Sequence, residues 1–290
     1  MALIVNMACG LANRMFQYSY YLFLKKQGYD VYVDFYHSAK LAHEKVAWNA
    51  IFSDAEIRQA PHSKVFLLGG GSDLCSRIRR RFFPWTTGVV TTSGVFDVYH
   101  PLNAKKDKYI MGVFQNADVV DTVADEVKKC FSFLPFNDKR NLCMEKEMKN
   151  CESVAIHVRK GEDYRTRIWY QHTCSMEYYQ KAMELIKAKV KNPRFYVFTD
   201  NPQWVKEHFA GVDYTLVEGN PANGYGSHFD MQLMSRCKHN IISNSTYSWW
   251  SAFLNNSPEK VVIVPEIWFN PDSCEEFQSK RMLCRGWIAL

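Results

Sequence analysis

The chain has 290 residues, enough for two ordinary domains, and 47% of them are hydrophobic and 15% aromatic, which excludes a disordered or low-complexity protein. Its net charge of +6 suits an anionic small molecule such as a nucleotide sugar, or loose contact with an anionic membrane surface, without choosing between them. The nine cysteines are odd in number and contain no CxxC, so they predict reduced, buried thiols of a cytoplasmic protein rather than a disulfide framework or a zinc site.

The amino terminus MALIVNMACG lacks a basic stretch and runs straight into strand-like sequence, which predicts no signal peptide. No apolar run approaches the ~20 residues that span a bilayer. Ala2 to Asn6 reads as a strand, Met7 to Asn13 as a loop, Arg14 to Lys26 as a helix stopped at Gly28, and Val31 to Asp34 as the next strand. This β-loop-α-β unit opens a Rossmann-like domain. Its loop, with Gly10 and Asn13, lies where a ligand can meet backbone N–H groups, or is an ordinary turn with Asn13 as helix cap.

Ala47 to Ile57 reads as a short helical stretch, and Gly69-Gly70-Gly71-Ser72 as a flexible loop without a phosphate-loop continuation. The basic and aromatic run Ile78 to Trp85 fits a solvated helix edge or a surface that touches membrane or an anionic glycolipid. Tyr109 to Phe114 resembles a strand, Asp118 to Cys130 a helix, Phe133 to Asp138 a connector and Lys139 to Lys149 a charged helix of uncertain allegiance. The domain boundary is expected between about 134 and 151.

The second half repeats the α/β rhythm. Strands are expected at Val154 to Val158, Phe195 to Phe198, Tyr214 to Val217, Asn240 to Ser243 and Val261 to Val264. Helices are expected at Ser175 to Val190, Trp204 to Phe209, Phe229 to Cys237 and Ser248 to Leu254. Strand alternation puts His157 and Arg159 on one face, opposite Val154, Ile156 and Val158. A cation and an imidazole at the carboxyl end of a strand sit where open α/β sheets bind ligands, and an arginine there matches phosphate oxygens. The alternative is a strand end satisfied by backbone and solvent.

Other segments could converge there. Asn244-Ser245-Thr246-Tyr247-Ser248 carries amides and hydroxyls into a helix start, an anion site unless Thr246 or Ser248 merely caps the helix. Ser227 to Asp230 has the spacing of a capping box, or Asp230 accepts hydrogen bonds from a base edge. Glu162 and Asp163 could supply a general base or hold Arg159 and Lys160. Trp249 and Trp250 read as packing residues. No DxD, HxH or HExxH occurs, so metal chemistry has little support.

The segment His157-Val158-Arg159-Lys160-Gly161-Glu162-Asp163-Tyr164 resembles the HxRRGDY motif of the α-1,2-fucosyltransferases, glycosyltransferase family 11. Gly10 to Tyr18, Phe198-Thr199-Asp200 and the run Asp230 to Asn255 resemble the same family, with order and spacing kept over nearly the whole chain. The resemblance implies an α/β fold of GT-B type, with two Rossmann-like domains facing a central cleft: an acceptor-side domain over 1–150 and a donor-binding domain over 151–290. It implies a hexosyltransferase that moves L-fucose from GDP-β-L-fucose to the 2-hydroxyl of a terminal galactose, with inversion, no cofactor and no divalent metal.

Carried over, Arg159 would hold the β-phosphate, with Glu162 and Asp163 as further catalytic candidates. His157 and Asp230 would face the guanine, and Lys160, Asp200, Asn244, Ser245, Thr246 and Ser248 would complete the donor site. Gly10, Asn13, Arg14, Gln17 and Tyr164 would belong to the cleft and the acceptor. Expected partners are GDP-L-fucose and a galactose-terminated oligosaccharide or glycolipid, with no nucleic acid and at most peripheral membrane association. The family's second arginine is Lys160 here, and Cys9, Ala12 and Arg14 replace its usual Gly, Gly and Gln; Ala12 would be strained if that position needs a positive φ. The rival readings are another linkage or GDP-sugar on the same fold, and a catalytically silent sugar-binding protein.

Overall fold

Strand β1 (Ala2–Asn6) is buried at every position, the pattern of a strand covered on both faces of a parallel sheet. The computed structural model describes residues 1–36, 48–101 and 106–290, which fall into two units, Met1–Leu134 and Pro135–Leu290. In the first unit β1 lies between β2 (Asp30–Asp34) and β4 (Lys108–Met111), with β3 (Val89–Thr91) outside β4; every pairing is parallel and the order is β2-β1-β4-β3.

Helix α1 (Leu11–Lys26) crosses from β1 to β2. Its cap is Gly10, not Asn13, and it ends with Lys25 and Lys26 at the negative end of its dipole before Gly28 turns the chain at φ 86°. The expected helix over Ala47 to Ile57 is reduced to a single 3-10 turn at Trp48–Ala50, Ala47 lying outside the described residues. Two helices follow, α2 (His62–Leu68), which was not foreseen, and α3 (Leu74–Phe82), whose second half is the helix edge expected from Ile78 onward. The glycine run between them is a packed corner rather than a loose loop. Gly70 lies so close on the Tyr109 ring that a Cβ would meet it at 2.4 Å, and Arg80 donates to the carbonyls of Gly69 and Gly71.

Strand β4 stops at Met111, short of the expected Phe114, because Phe114 turns to φ 55° and stacks its ring on Tyr20. The helix expected over Asp118 to Cys130 is two, α4 (Ala117–Thr122) and α5 (Ala124–Cys130), broken where Val123 leaves helical geometry with its side chain in the core.

In the second unit, α6 (Lys139–Lys149) is capped by Asp138 and packs Met148 against Ala155, Tyr196 and Phe198. The division falls at Leu134/Pro135, the near edge of the interval given for the boundary, and α6 lies in the second unit. The strands β5 (Ser153–Val158), β6 (Arg194–Thr199), β7 (Tyr214–Val217), β8 (His239–Ile241), β9 (Val262–Val264) and β10 (Ile288–Ala289) form one parallel sheet in the order β10-β9-β8-β5-β6-β7. The order runs outward from β5 in both directions, so the topological switch lies between β5 and β8, and ligands bind such sheets at the carboxyl ends beside that switch.

The helices are α7 (Glu162–Thr166), α8 (Met176–Lys189), α9 (Pro202–His208), α10 (Phe229–Arg236) and α11 (Thr246–Leu254). Alternate β5 residues Val154, Ile156 and Val158 pack with Tyr179, Ala182 and Ile186 of α8. Ala155 packs on the other face with Leu233 and Met234 of α10. Each buried aliphatic or aromatic side chain contributes about 1.5–3 kcal/mol, so a one-residue slip of β5 would cost several of them at once. Among the described residues no helix is long and apolar enough to cross a membrane. All nine cysteines are free, but only Cys174, Cys237 and Cys284 are buried, while Cys75 and Cys143 are exposed.

Candidate functional site

The register of β5 on β8, with Ile156 opposite Ile241, brings the segments after the two strands to the same end of the sheet. There His157 Nδ1 and Ser243 Oγ are 2.7 Å apart, and the His157 ring lies 6.0 Å from that of Tyr247. Burial, and secondarily the nearby Arg159 charge, push the imidazole down to about 3, so it is neutral at physiological pH.

Two residues on, Arg159 donates from Nη2 to Asp163 Oδ2 at 2.9 Å, and its guanidinium lies 4.2 Å from the centre of the Tyr170 ring. Asp163 also binds Arg167 Nε at 3.2 Å. The Arg159 side chain keeps 19% of its surface exposed. It is thus an oriented fork of donors, held from two sides and still open. Glu162, the neighbouring carboxylate, is exposed to solvent.

Lys160 goes the other way. It is 5% exposed, its Nζ donates to the Thr173 carbonyl at 3.2 Å, and it lies 3.8 Å from the Tyr164 ring and 5.3 Å from that of Trp204. The split falls just past the end of β5, in the turn that leads to α7. Lys160 and Tyr164 are therefore packed into one cation–aromatic contact rather than set beside Arg159. Asp200 Oδ1 accepts from the N–H groups of Lys160 and Gly161, both at 2.8 Å, and Asn201 Nδ2 donates to the Lys160 carbonyl. Burial pushes the Asp200 carboxyl up, against those two donors and the Arg159 charge, which pull it down. Gly161 has no room for a side chain, for a Cβ would meet Asp200 Cγ at 2.7 Å.

The start of α11 divides its side chains similarly. Ser245 Oγ accepts from the Tyr247 N–H and is the cap, the role expected of Thr246 or Ser248. Asn244 is buried, donating to the Trp268 carbonyl and accepting from the Cys174 thiol, while the buried Ser248 hydroxyl donates to the Ser245 carbonyl. Thr246, half-buried at the first helical position, presents the positive end of α11. Trp249 and Trp250 are packing residues, both fully buried.

Tyr247 ties this helix to α10: its hydroxyl donates to the Ser227 carbonyl and accepts from the Met231 N–H, both at 2.8 Å. No capping box forms at α10, whose cap His228 makes no side-chain cap bond. Asp230 instead accepts from Asn220 Nδ2 at 2.6 Å, and burial raises its carboxyl against the pull of Asn220 and Arg140. His157, Arg159, Asp163, Thr246 and Asp230 thus belong to one end of the second unit, joined through Ser243 and Tyr247. Lys160, Asp200, Asn244 and Ser248 are the framework beneath. Tyr170 was not foreseen; its only signal was an aromatic pair, Trp169-Tyr170, close after the charged turn.

In the first unit Gln17 Nε2 donates to the Gly112 carbonyl at 2.8 Å, and Asn13 Oδ1 accepts from Gln115 Nε2 at 3.1 Å, tying α1 to the segment after β4. Arg14 is buried, and Gly10 has an ordinary φ of −72°, with open space within 4 Å of where a Cβ would stand. The backbone strain expected at Ala12, which is helical, lies at Cys9, at φ 70°. Burial pushes the Cys9 thiol up, against a hydrogen bond with Asn13 and the charge of Arg14. Among the described residues no three His, Cys, Asp or Glu side chains gather as a metal site.

The profile of Glycosyl transferase family 11 matches residues 90–290. The O-antigen biosynthesis glycosyltransferase WbnK of Escherichia coli is 34% identical over 198 residues, 65% of this chain and 63% of that protein. An α-1,2-colitosyltransferase of Escherichia coli is 30% identical over 50% of this chain and 51% of its own length. The mouse galactoside 2-α-L-fucosyltransferase Sec1 is 27% identical over 41% and 36%. The chain thus spans less than two thirds of the length of these curated relatives. Among solved structures, the α-1,6-fucosyltransferase NodZ soaked with GDP-fucose superposes with a TM-score of 0.51 at 13% identity, covering 87% of this chain and 92% of that one. That likeness shows the fold, an α/β architecture of GT-B type with parallel sheets.

Proposed function

The chain belongs to glycosyltransferase family 11, and from that premise we propose that it transfers L-fucose from GDP-β-L-fucose to the 2-hydroxyl of a terminal galactose, with inversion and without a divalent metal. The observation that carries the reading is Arg159, an open guanidinium held by Asp163 and Tyr170 beside the switch between β5 and β8. Displacement at the anomeric carbon pushes charge onto the leaving diphosphate. A fixed guanidinium fork and the N–H groups at the start of α11 are donors that need no reorganisation to receive it.

His157, neutral, and Asp230 offer the polar edge that a guanine would meet, with Tyr247 between them. Lys160 acts indirectly, by holding the turn that carries Arg159. The acceptor hydroxyl attacks from the face opposite GDP and loses its proton as the bond forms. Both oxygens of Asp163 are committed to guanidinium groups, whereas the Glu162 carboxylate is open to solvent. The relative that transfers colitose supports a second reading, in which the sugar moved is colitose rather than fucose.

The test is GDP release from GDP-fucose with lactose in the presence of EDTA, for the intact protein and for Arg159→Ala. Lactose-dependent release, a 2-linked fucosyl product and a loss of at least ~10²-fold in the variant are expected. Release that stops in EDTA would remove the metal-independent mechanism. Activity that survives Arg159→Ala would remove the assigned phosphate site, and saturable GDP binding without turnover would leave a silent binder.

A further inference from the structure

One face of the first unit departs from ordinary surface chemistry. On α3, Leu74, Ile78 and Phe82 follow at intervals of four residues and share a stripe, yet all three point to solvent, with Leu74 69% and Phe82 60% exposed. Trp85, in the 3-10 turn Pro84–Thr86, is 76% exposed, with its ring 5.7 Å from that of Phe83. Phe66 and Leu67, at the end of α2, are exposed as well.

These side chains are not scattered. Arg79 donates to the carbonyls of Phe66, Leu67 and Thr86 at 2.9, 3.0 and 2.7 Å, so a single guanidinium binds the end of α2, the body of α3 and the turn bearing Trp85 into one piece. Arg80 anchors the opposite side on Gly69 and Gly71. The apolar surface is thus presented by a fixed backbone, and solvent-exposed apolar groups gathered in this way mark an interaction site.

The charges around it select the occupant. Residues 62–88 carry five cations, Lys64, Arg77, Arg79, Arg80 and Arg81, against one carboxylate, Asp73. A symmetric contact with a second copy of the chain would set these cations against themselves. A surface that takes apolar side chains and meets them with anions is an anionic lipid bilayer: the aromatics enter the headgroup boundary and the arginines remain at the phosphates. We propose that α3 and the turn through Trp85 form a peripheral docking face for anionic membrane, with Leu74, Ile78, Phe82 and Trp85 inserted and Arg77 and Arg81 at the phosphate level. The inference stands whichever sugar the second unit transfers.

The experiment is co-sedimentation of the full chain with vesicles of phosphatidylcholine alone and of phosphatidylcholine mixed with phosphatidylglycerol. Two double variants accompany it, Phe82→Ser with Trp85→Ser, and Arg77→Glu with Arg81→Glu. All four positions are exposed and hold no hydrogen bond of the frame described above, so circular dichroism and turnover on a soluble acceptor should match the intact protein. Partition into anionic vesicles is expected, falling on the order of fivefold or more per arginine removed and weakening with salt. The aromatic variant should lose a comparable share at any salt concentration. Absence of partition, equal partition into uncharged vesicles, or variants that bind like the intact protein would each overturn the proposal. A dimer that dissolves on Phe82→Ser with Trp85→Ser, without vesicle binding, would overturn it by assigning the face to a second copy.

Discussion

At the scale of single residues, the two neighbouring carboxylates after β5 have different work. Asp163 divides its oxygens between Arg159 and Arg167, whereas Glu162 is exposed beside it. Asp163→Asn should free the Arg159 fork and raise the dissociation constant for GDP about tenfold or more, the range of a charge-assisted bond. Glu162→Gln should leave GDP affinity within about twofold, since no oriented phosphate ligand depends on it. Calorimetric titration with GDP reads both, and equal losses in the two variants would show that Asp163 does not position Arg159. In the first unit, Cys9 occupies a left-handed conformation that costs an L-residue roughly 1–2 kcal/mol. Cys9→Gly should therefore leave the melting temperature unchanged or raised, while Cys9→Val should lower stability by about 1–2 kcal/mol in denaturant titration.

At the scale of elements, the turn from β5 into α7 works only because a glycine and an aspartate meet. Asp200, from the end of β6, gathers the N–H groups of Lys160 and Gly161, and a Cβ on Gly161 would press against that carboxylate at 2.7 Å. Gly161→Ala should cost about 1–3 kcal/mol and most of the activity, by displacing Asp200 and with it the approach of Arg159. The double variant with Asp200→Ala should cost clearly less than the sum of the singles, and strict additivity in equilibrium unfolding would refute the coupling. The elements that carry this turn were legible because β5 sets β-branched Val154, Ile156 and Val158 at alternate positions and the turn is dense in charge. The placement of Lys160 was not, for two cations adjacent in sequence read as one site until the turn after β5 sends one to Asp163 and the other to the Thr173 carbonyl. Helix α3 was legible only in part: the basic and aromatic run from Ile78 read as a solvated helix edge, but its start at Leu74, capped by Asp73, was not foreseen. The cap at Gly10 left no side-chain signal, and Asn13 drew the reading three residues too late.

At the scale of the whole molecule, the site in the second unit carries a stability cost that pH exposes. Burial drives His157 down to about 3 and His228 to about 4, from an ordinary value of 6.5. Between pH 6.5 and about 4 the unfolded chain therefore binds two protons that the folded chain refuses, and stability falls as pH falls through this window. Each histidine contributes a slope of up to about 1.4 kcal/mol per pH unit. Asp200 and Asp230 oppose the trend, because their raised carboxyls hold protons in the folded state that the unfolded chain has already released. Their contribution sets in above the ordinary carboxyl value of 3.8 and extends upward to their raised values. The histidine effect sets in first as pH falls, in the upper part of the window below pH 6.5. Thermal unfolding in pH steps should show the transition temperature falling with acid across that upper part. His157→Asn and His228→Asn should each flatten the slope, whatever they do to the absolute stability. A wild-type profile flat from pH 6.5 to about 5, or variants with the wild-type slope, would mean that these imidazoles take up protons in the folded state. His157 would then be a cation beside Arg159, and the edge assigned to the base of the nucleotide would be a donor pair in place of a neutral ring.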